Sequence, residues 1–450
     1  MSILSLFLLP TDALRFISLI LGSFCIGWLI SRVLSKNIKD SRYRAFIIRI
    51  FVFAFLIRIG FCLGLSIAHT NYGAPLFQAE YSNLFRDDLN YHKHSVLIAK
   101  QIQQHGYIDA YNLAKLYYPV NPGYAYLGGI VYRLLGTTNT MAIRLVNSLF
   151  GALIPVLCFM IAHLVYDNFK IARYSALLTA FLPTSIVLSS LHYKDTVVIF
   201  LILYIIWILL TLSRKLSAGN VCLLLLALFV LAAFRFVMFM SLAGIAIFIW
   251  LARKDLRLSA VSLVVLIMLV SAFAVYWCNP DILLYLYSPS HLHQTAEKVS
   301  HAYINVASDT SLASRLSASN AGIIPRLIFN GILFMIAPLP NSTLGIFAFG
   351  LPGVWLWYLL IPAVYYGTVY SLRKKIKNTW LLLSIPVVTV MMVLISFSAS
   401  NFRYREVAMP ILLILSSVGI VYSRRLKAIY PLYLPVLVLL MLAYYCVKYL

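Results

Sequence analysis

The chain has 450 residues, of which 62% are hydrophobic and only 11% are charged. Because soluble domains are roughly 25% charged, this composition excludes an ordinary soluble fold. The formal net charge of +23 would suit nucleic acid, but most cations lie in short turns between apolar segments. That distribution is the positive-inside pattern of membrane proteins. We therefore expect an integral membrane protein that does not bind nucleic acid.

Apolar segments recur along the whole chain. Roughly 18–20 residues cross about 30 Å of hydrocarbon, and on this criterion the sequence predicts about twelve transmembrane helices in one integral membrane domain, residues 1–450. The predicted spans are residues 13–34, 45–69, 140–165, 171–190, 196–212, 219–234, 237–252, 258–277, 343–371, 379–398, 407–422 and 429–448. The first ten residues contain no cation, so we expect no secretory signal peptide.

The position of the cations predicts the face on which each loop lies. Cytoplasmic loops are enriched in Lys and Arg, and short basic turns such as residues 373–377 alternate along the chain with more polar regions. Residues 1–44 then form an extra N-terminal span with a basic cytoplasmic loop, whereas residues 70–138 and 278–342 form two extracytoplasmic regions. We expect a bacterial inner-membrane protein whose active site lies on the periplasmic face.

The first extracytoplasmic region contains a predicted surface helix. Tyr91, Ser95, Ile98 and Ile102 recur at helical spacing and form one stripe, and Gly106 can end the helix. We expect this helix to lie on the membrane surface.

Carboxylates are rare, with only 13 in the chain, yet Asp87 and Asp88 are adjacent. Asp195 lies in another predicted outer loop, so carboxylates from two loops could converge. Such groups can deprotonate a hydroxyl or an amine, and they can hold a divalent cation. Asp87, Asp88 and Asp195 are therefore the candidate catalytic residues, and Asp88 with Asp195 forms the candidate site for Mg²⁺ or Mn²⁺.

Cations on the same predicted face suit a phosphate or pyrophosphate, because a guanidinium forms paired charge-assisted hydrogen bonds. A charge at mid-membrane costs about 2.5–3.5 kcal/mol, so these residues need a reason to be retained. The candidate donor-phosphate ligands are Arg144, Lys194, Arg235, Arg403 and Arg405. The candidates for a sugar or acceptor pocket are Tyr91, His92, Tyr118 and His192.

Each candidate also has a purely structural explanation. Asp87 or Asp88 can cap the helix that follows, and Asp195 can pair with Lys194 at a helix end. The arginines can satisfy a neighbouring helix, or extend to the membrane surface and bind lipid headgroups. The sequence leaves both explanations open for each residue.

Together, these stretches resemble the GT-C superfamily of membrane glycosyltransferases. Within that superfamily, the chain resembles the glycosyltransferase family 39-like branch. This branch contains the dolichyl-phosphate-mannose protein mannosyltransferases and the lipid A aminoarabinose transferases. The motifs that carry the resemblance are Asp87-Asp88-Leu89-Asn90-Tyr91, Tyr118-Pro119-Val120-Asn121-Pro122-Gly123-Tyr124, Gly136 with Ile143-Arg144-Leu145, Pro183 with Lys194-Asp195, and Arg403-Tyr404-Arg405 with Pro410. The chain departs from the family pattern in having Asp88 where glutamate is usual.

The resemblance implies inverting transfer of a sugar from a polyprenyl-phosphate donor to an extracytoplasmic glycan, lipid or protein. Asp87 would be the base or would orient the acceptor, with Asp88 and Asp195 as supporting carboxylates or metal ligands. Arg403 and Arg405 would hold the donor phosphate. The protein would contact membrane lipids throughout.

Three other functions also fit the sequence. One is a polysaccharide polymerase or ligase that uses a polyprenyl-diphosphate glycan, which would not need carboxylates in two loops. Another is a transporter of lipid-linked glycans, which would favour charged or broken helices at mid-membrane. The third is a non-catalytic protein that binds polyprenyl lipids.

Overall fold

The computed structural model describes residues 10–36, 38, 40–77, 87–107, 122–215, 217–251, 346, 349–396, 402–423 and 426–449. Every regular element within these ranges is helical, and no strand is formed there. The predicted span 258–277 and the predicted second extracytoplasmic region 278–342 lie outside the described residues.

The structure contains helices of very different lengths. In chain order they are α1 Pro10–Ser35, α2 Ser41–Tyr72, α3 Asp87–His105, α4 Gly123–Leu135, α5 Met141–Tyr166, α6 Phe169–Phe181, α7 Pro183–Ser189, α8 Asp195–Arg214, α9 Ala218–Phe234, α10 Phe236–Leu251, α11 Leu351–Arg373, α12 Thr379–Ser396, α13 Phe402–Tyr422 and α14 Leu426–Tyr449. Five of the described helices are long and apolar enough to cross a membrane, or six if the bent pair α6–α7 counts as one span. These properties are those of a polytopic α-helical membrane protein, and the total of about twelve spans stays a prediction.

One predicted span is divided in the structure. The sequence predicted a single helix over residues 171–190, but α6 and α7 meet at a bend of 57°. The break follows from Pro183, which has no N–H and disfavours the helical conformation in the preceding residue. Leu182 accordingly has an extended backbone, with φ −65° and ψ 114°.

A buried arginine from α2 stabilises this break. The Arg58 side chain has no exposed surface, and its Nε donates to Ser189 Oγ at 2.8 Å. Its Nη1 donates to the carbonyl oxygens of Ala54 at 3.0 Å and Ala180 at 3.4 Å. A backbone carbonyl beside the break is thus hydrogen-bonded inside the protein, as a membrane interior requires.

Helix α5 is the centre of the bundle. Most of its residues are buried, and it contacts α1, α2, α4, α6, α7, α8 and α13. Helix α13, which contacts α5, packs against α11 at very close range. A side chain at Gly367 would clash with the Leu415 carbonyl oxygen, and one at Gly419 would clash with that of Ala363. Only glycine allows this approach of the two backbones.

The helix predicted in the first extracytoplasmic region is confirmed as α3, and its position on the membrane surface stays a prediction. Gly106 has a left-handed backbone with φ 77°, and its N–H donates to the Ile102 carbonyl at 3.0 Å, which ends the helix. The predicted stripe packs against α4, where Gly128 adjoins Ser95 and Gly129 adjoins Ile98. The stripe therefore contacts protein through these residues.

The two ends of α5 mark two ends of the bundle. At its start, Asn147 contacts Tyr124 of α4 and the loop that precedes Asp195; we call this the site end. At the other end of α5, the Tyr166 hydroxyl lies 3.0 Å from Ser371 Oγ, close to the basic turn of residues 373–377; we call this the basic end. Arg144 and Tyr166 are 22 positions apart, so these ends are separated by about 33 Å along the helix.

Candidate functional site

The loop between α7 and α8 is held in place by a buried amide. Asn147 Nδ2 lies 2.7 Å from the Leu191 carbonyl oxygen, 3.0 Å from that of Tyr193 and 2.7 Å from the Tyr124 hydroxyl. A side-chain amide has two N–H donors, so it donates to two of these acceptors at a time. The amide from α5 therefore fixes the backbone that presents His192 and leads into Asp195.

Asp195 forms a buried ion pair with Arg235. Arg235 Nη1 donates to Asp195 Oδ1 at 3.2 Å, and the two side chains are 11% and 2% exposed. Arg235 lies where α9 ends and α10 begins. Arg235, a predicted phosphate ligand, thus neutralises Asp195, a predicted catalytic carboxylate.

The adjacent pair Asp87 and Asp88 occupies two different environments. Asp87 is exposed at the start of α3, whereas Asp88 is 1% exposed. The Leu89 N–H donates to Asp88 Oδ1 at 2.8 Å, and Asp88 interacts electrostatically with Arg144. Asp88 is therefore the inward-facing carboxylate of the pair.

A polar cavity of about 440 Å³ opens beside Arg144. It is lined by Ser66, His69, Thr70, Leu76, Phe77, His92, Thr137, Thr138, Asn139, Thr140, Met141 and Arg144. The Arg144 guanidinium is 1% exposed and donates from Nη2 to the Leu76 carbonyl oxygen. Its Nε has no hydrogen-bond partner among the described residues, so the cavity wall holds a cation with unused donor capacity.

Two histidines and two tyrosines form an aromatic cluster next to this cavity. His92 Nδ1 is 2.9 Å from the Tyr132 hydroxyl, and the His92 and His192 ring centroids are 6.0 Å apart. The Tyr124 ring lies 5.3 Å from that of His192. His192 is fully buried, and neither ring nitrogen has a hydrogen-bond partner in the described ranges.

The environment of this cluster keeps both imidazoles neutral. Burial lowers the pKa of His192 well below its usual value, and the nearby Arg144 and His92 lower it further. Burial, followed by the charge of Arg144, also lowers the pKa of His92. Near neutral pH both rings can therefore accept a hydrogen bond from a hydroxyl.

The sequence interpretation missed one buried carboxylate, Glu406. It is 2% exposed and lies near Thr184, Arg405 and Asp195. Arg405 is itself 1% exposed, with its guanidinium carbon 5.2 Å from the centre of the Trp357 ring. The scarcity of acids in the sequence was a signal that could have identified Glu406. The predicted spans 379–398 and 407–422 leave this residue in the turn between them, whereas α13 already begins at Phe402.

The remaining predicted residues are placed as follows. Lys194 Nζ is 5.7 Å from the centre of the Tyr91 ring, and that ring packs edge-on against Tyr124 at 5.1 Å. The Arg403 side chain and Tyr118 lie outside the described residues. The structure therefore places Arg144 and His92 in the cavity wall, with Asp88 and His192 near them. Asp195 begins the helix that follows the His192 loop and is paired there with Arg235.

The described residues do not test the predicted divalent-cation site of Asp88 and Asp195. No three His, Cys, Asp or Glu side chains within those ranges come together as a potential metal site. Asp195, one of the two predicted ligands, is paired with Arg235. We derive no step through a metal, and the predicted Mg²⁺ or Mn²⁺ site stays a prediction.

The chain was compared with known proteins. No protein-family model matches it, and no curated protein matches it significantly. One solved structure that is similar is the archaeal oligosaccharyltransferase AglB from Archaeoglobus fulgidus, in complex with an inhibitory peptide and a dolichol-phosphate, with 12% sequence identity and a TM-score of 0.40. The match covers 76% of this chain and 48% of that chain, so this chain spans about half of its length. We draw no conclusion about chemistry from so distant a likeness.

Proposed function

We propose that this chain is a membrane glycosyltransferase that moves a sugar from a polyprenyl-phosphate donor to an extracytoplasmic acceptor, with inversion. The observation that supports this function is the buried Asp88 carboxylate near Arg144, whose guanidinium lines the polar cavity at one end of the apolar helices. A carboxylate beside an incompletely hydrogen-bonded guanidinium is suited to a reaction that removes a proton and releases a phosphate. In a membrane, the phosphate headgroup of a lipid-linked sugar would lie at the same depth as this cavity.

The proposed reaction is a single displacement. The Asp88 carboxylate accepts the proton of an acceptor hydroxyl, whose oxygen forms a bond to the anomeric carbon of the sugar. The bond between that carbon and the phosphate oxygen breaks, and polyprenyl phosphate leaves with the bonding electron pair. Arg144 balances the charge on the leaving phosphate, and attack from the opposite side inverts the anomeric centre.

Other residues of the site position the reactants. His92 is neutral and lines the cavity, so it can accept a hydrogen bond from a sugar hydroxyl. The Asp195–Arg235 pair holds the start of α8, and with it the loop that carries His192. In this mechanism Asp195 is a positioning residue, whereas Asp88 is the base.

The two adjacent aspartates provide a matched test of the mechanism. In membranes containing the protein and a labelled polyprenyl-phosphate hexose, release of polyprenyl phosphate should fall at least about 100-fold for Asp88→Asn, the loss typical of a removed general base. Asp87→Asn makes the same chemical change one residue away at an exposed position, and it should retain most of the activity. Full activity in Asp88→Asn would disprove the proposed base.

The bound lipid distinguishes two candidate substrates. Native mass spectrometry of the purified protein, followed by lipid extraction, should find a polyprenyl monophosphate with or without one sugar. A polyprenyl diphosphate carrying an oligosaccharide would instead indicate the polymerase or ligase function.

A transporter of lipid-linked glycans is the second candidate, because the structure contains a feature that such proteins use. The α6–α7 break, with Arg58 buried beside it, is a discontinuous helix within the bundle. A transporter would move the labelled lipid across sealed vesicles without releasing polyprenyl phosphate. Release of that product in detergent solution, where no membrane separates two compartments, would exclude transport as the whole activity.

A further inference from the structure

A second cavity lies at the basic end, in the turn between α11 and α12. It has a volume of about 420 Å³ and is lined by residues 371, 372 and 375–380. The turn contains four cations within residues 373–377, and the sequence has no acidic residue between Asp309 and Glu406. None of the ion pairs found among the described residues involves these cations. Within the described part of the chain, the cations of this turn therefore form no ion pair.

The backbone of the turn is constrained by tight local hydrogen bonds. Lys375 and Asn378 have left-handed conformations, with φ 50° and 68°. The Ile376 N–H donates to the Ser371 carbonyl at 3.1 Å, and the Thr379 N–H donates to the Ile376 carbonyl at 3.2 Å. The two exposed lysines at 375 and 377 are consequently presented from a defined loop.

One side of this cavity is apolar and exposed. Trp380 and Leu372, which both line it, are 44% and 53% exposed. Tryptophan is enriched at the membrane–water interface, where its ring lies among the lipid headgroups. The cavity thus combines cations and an amide with an apolar side, at the end of a helix bundle that has the composition of a membrane protein.

The cavity is separate from the candidate active site. Ser371, on its wall, contacts Tyr166 at the finish of α5, whereas Arg144 lines the other cavity near the start of the same helix. The separation of about 33 Å along α5 is too large for one headgroup to reach both. A ligand of this cavity would therefore act independently of the proposed transfer reaction.

We propose that this cavity binds the headgroup of an anionic phospholipid. The ammonium groups of Lys375 and Lys377 would bind the phosphate, and the Asn378 amide would hydrogen-bond to the headgroup or glycerol oxygens. Trp380 and Leu372 would contact the start of the acyl chains. A zwitterionic headgroup fits less well, because its own cation would meet the cations of the turn.

Native mass spectrometry of the full-length protein in detergent tests this assignment, with phosphatidylglycerol and phosphatidylcholine added at equal concentrations. Wild-type protein should retain phosphatidylglycerol in preference. The double variant Lys375→Gln/Lys377→Gln should bind it about 10- to 30-fold more weakly, the change expected for two cations close to an anionic headgroup. The control Lys170→Gln/Arg173→Gln removes two exposed cations outside the cavity and should change binding by less than about threefold.

Three outcomes would overturn the proposal. Equal losses in the two double variants would show diffuse attraction to a basic surface, and no loss in either would show that the lysines do not bind lipid. Displacement of the lipid by glycerol phosphate at the lipid's own concentration would identify a site for a free phosphate compound. Each readout is lipid binding, so a failure of the proposed transferase activity would leave the result intact.

Discussion

Among single residues, burial separates carboxylates that are equivalent in the sequence. Consecutive residues of an α-helix point about 100° apart, so one turn of α3 places Asp87 in solvent and Asp88 against the bundle. Asp195 is buried against Arg235, which offsets part of the high cost of moving a charge out of water, and Glu406 is buried near Arg405. The chemistry proposed for this protein depends on that difference in environment.

The Asp195–Arg235 pair gives the first prediction at this scale. Arg235→Met leaves the buried Asp195 carboxylate without its cation and should reduce stability by about 3–5 kcal/mol. The double variant Asp195→Leu/Arg235→Met removes both charges and should recover most of that loss. Thermal unfolding in detergent measures both variants. A double variant as unstable as Arg235→Met would show that the pair does not act as a unit.

His192 gives a prediction about pH. Its pKa is lowered in the folded protein by burial, Arg144 and His92, so the unfolded chain binds a proton more readily than the folded one. Stability is therefore complete above about pH 6.5 and falls as the pH drops below that value, by at most about 1.4 kcal/mol per pH unit for one proton. Thermal unfolding at pH 7.5 and 5.5 should show this decline, and His192→Gln should make it shallower. An identical decline in the variant would contradict this role of His192.

Among the helices, glycine and proline determine how closely and how straight the elements pack. Pro183 breaks a helix that hydropathy alone extends to residue 190, and Arg58 supplies the hydrogen bonds that the break needs. Gly367 and Gly419 allow α11 and α13 to touch through their backbones. The glycine crossing lies toward the basic end, because the Ser371 hydroxyl donates to the Gly367 carbonyl and contacts Tyr166.

Substitution at this crossing should be costly. In Gly367→Ala the new methyl group would meet the Leu415 carbonyl oxygen, and separation of the two helices should cost at least about 1–3 kcal/mol. The control is Gly60→Ala, because a methyl group there meets nothing within 4 Å. Thermal unfolding should distinguish the two variants. Equal thermal unfolding midpoints in the two variants would mean that α11 and α13 do not touch through their backbones at Gly367.

In the whole molecule, polar and reactive groups occupy one end of α5 and the basic turns occupy the other. Because α5 is long and apolar enough to cross a membrane, these ends belong on opposite sides. We expect the end that carries Arg144 to face away from the cytoplasm, since basic turns remain inside.

This orientation can be tested with epitope tags. A tag inserted after Thr138 should be accessible to protease in intact cells whose outer barrier has been removed, whereas a tag after Asn378 should be cleaved only after permeabilisation. Accessibility of both tags from one side would contradict the assignment of α5 as a transmembrane helix. The reverse pattern would keep the span and place the candidate site in the cytoplasm.

The sequence by itself determined where the helices are. Hydrocarbon length, apolar runs and breaker residues are local properties, and they predicted most of the described helices to within a few residues, together with the end of α3 at Gly106. The scarcity of acids also directed attention to Asp87, Asp88 and Asp195.

Only the tertiary structure decided which of these residues meet. Asp195 binds Arg235 across 40 positions and Arg144 binds the Leu76 carbonyl across 68, while Glu406 approaches Asp195 from a helix much later in the chain. Such contacts follow from the way that helices pack, and no local pattern specifies them. The physical reason is that helix formation depends on neighbouring residues, whereas the burial and pairing of a charge depend on whatever other helices bring to its side.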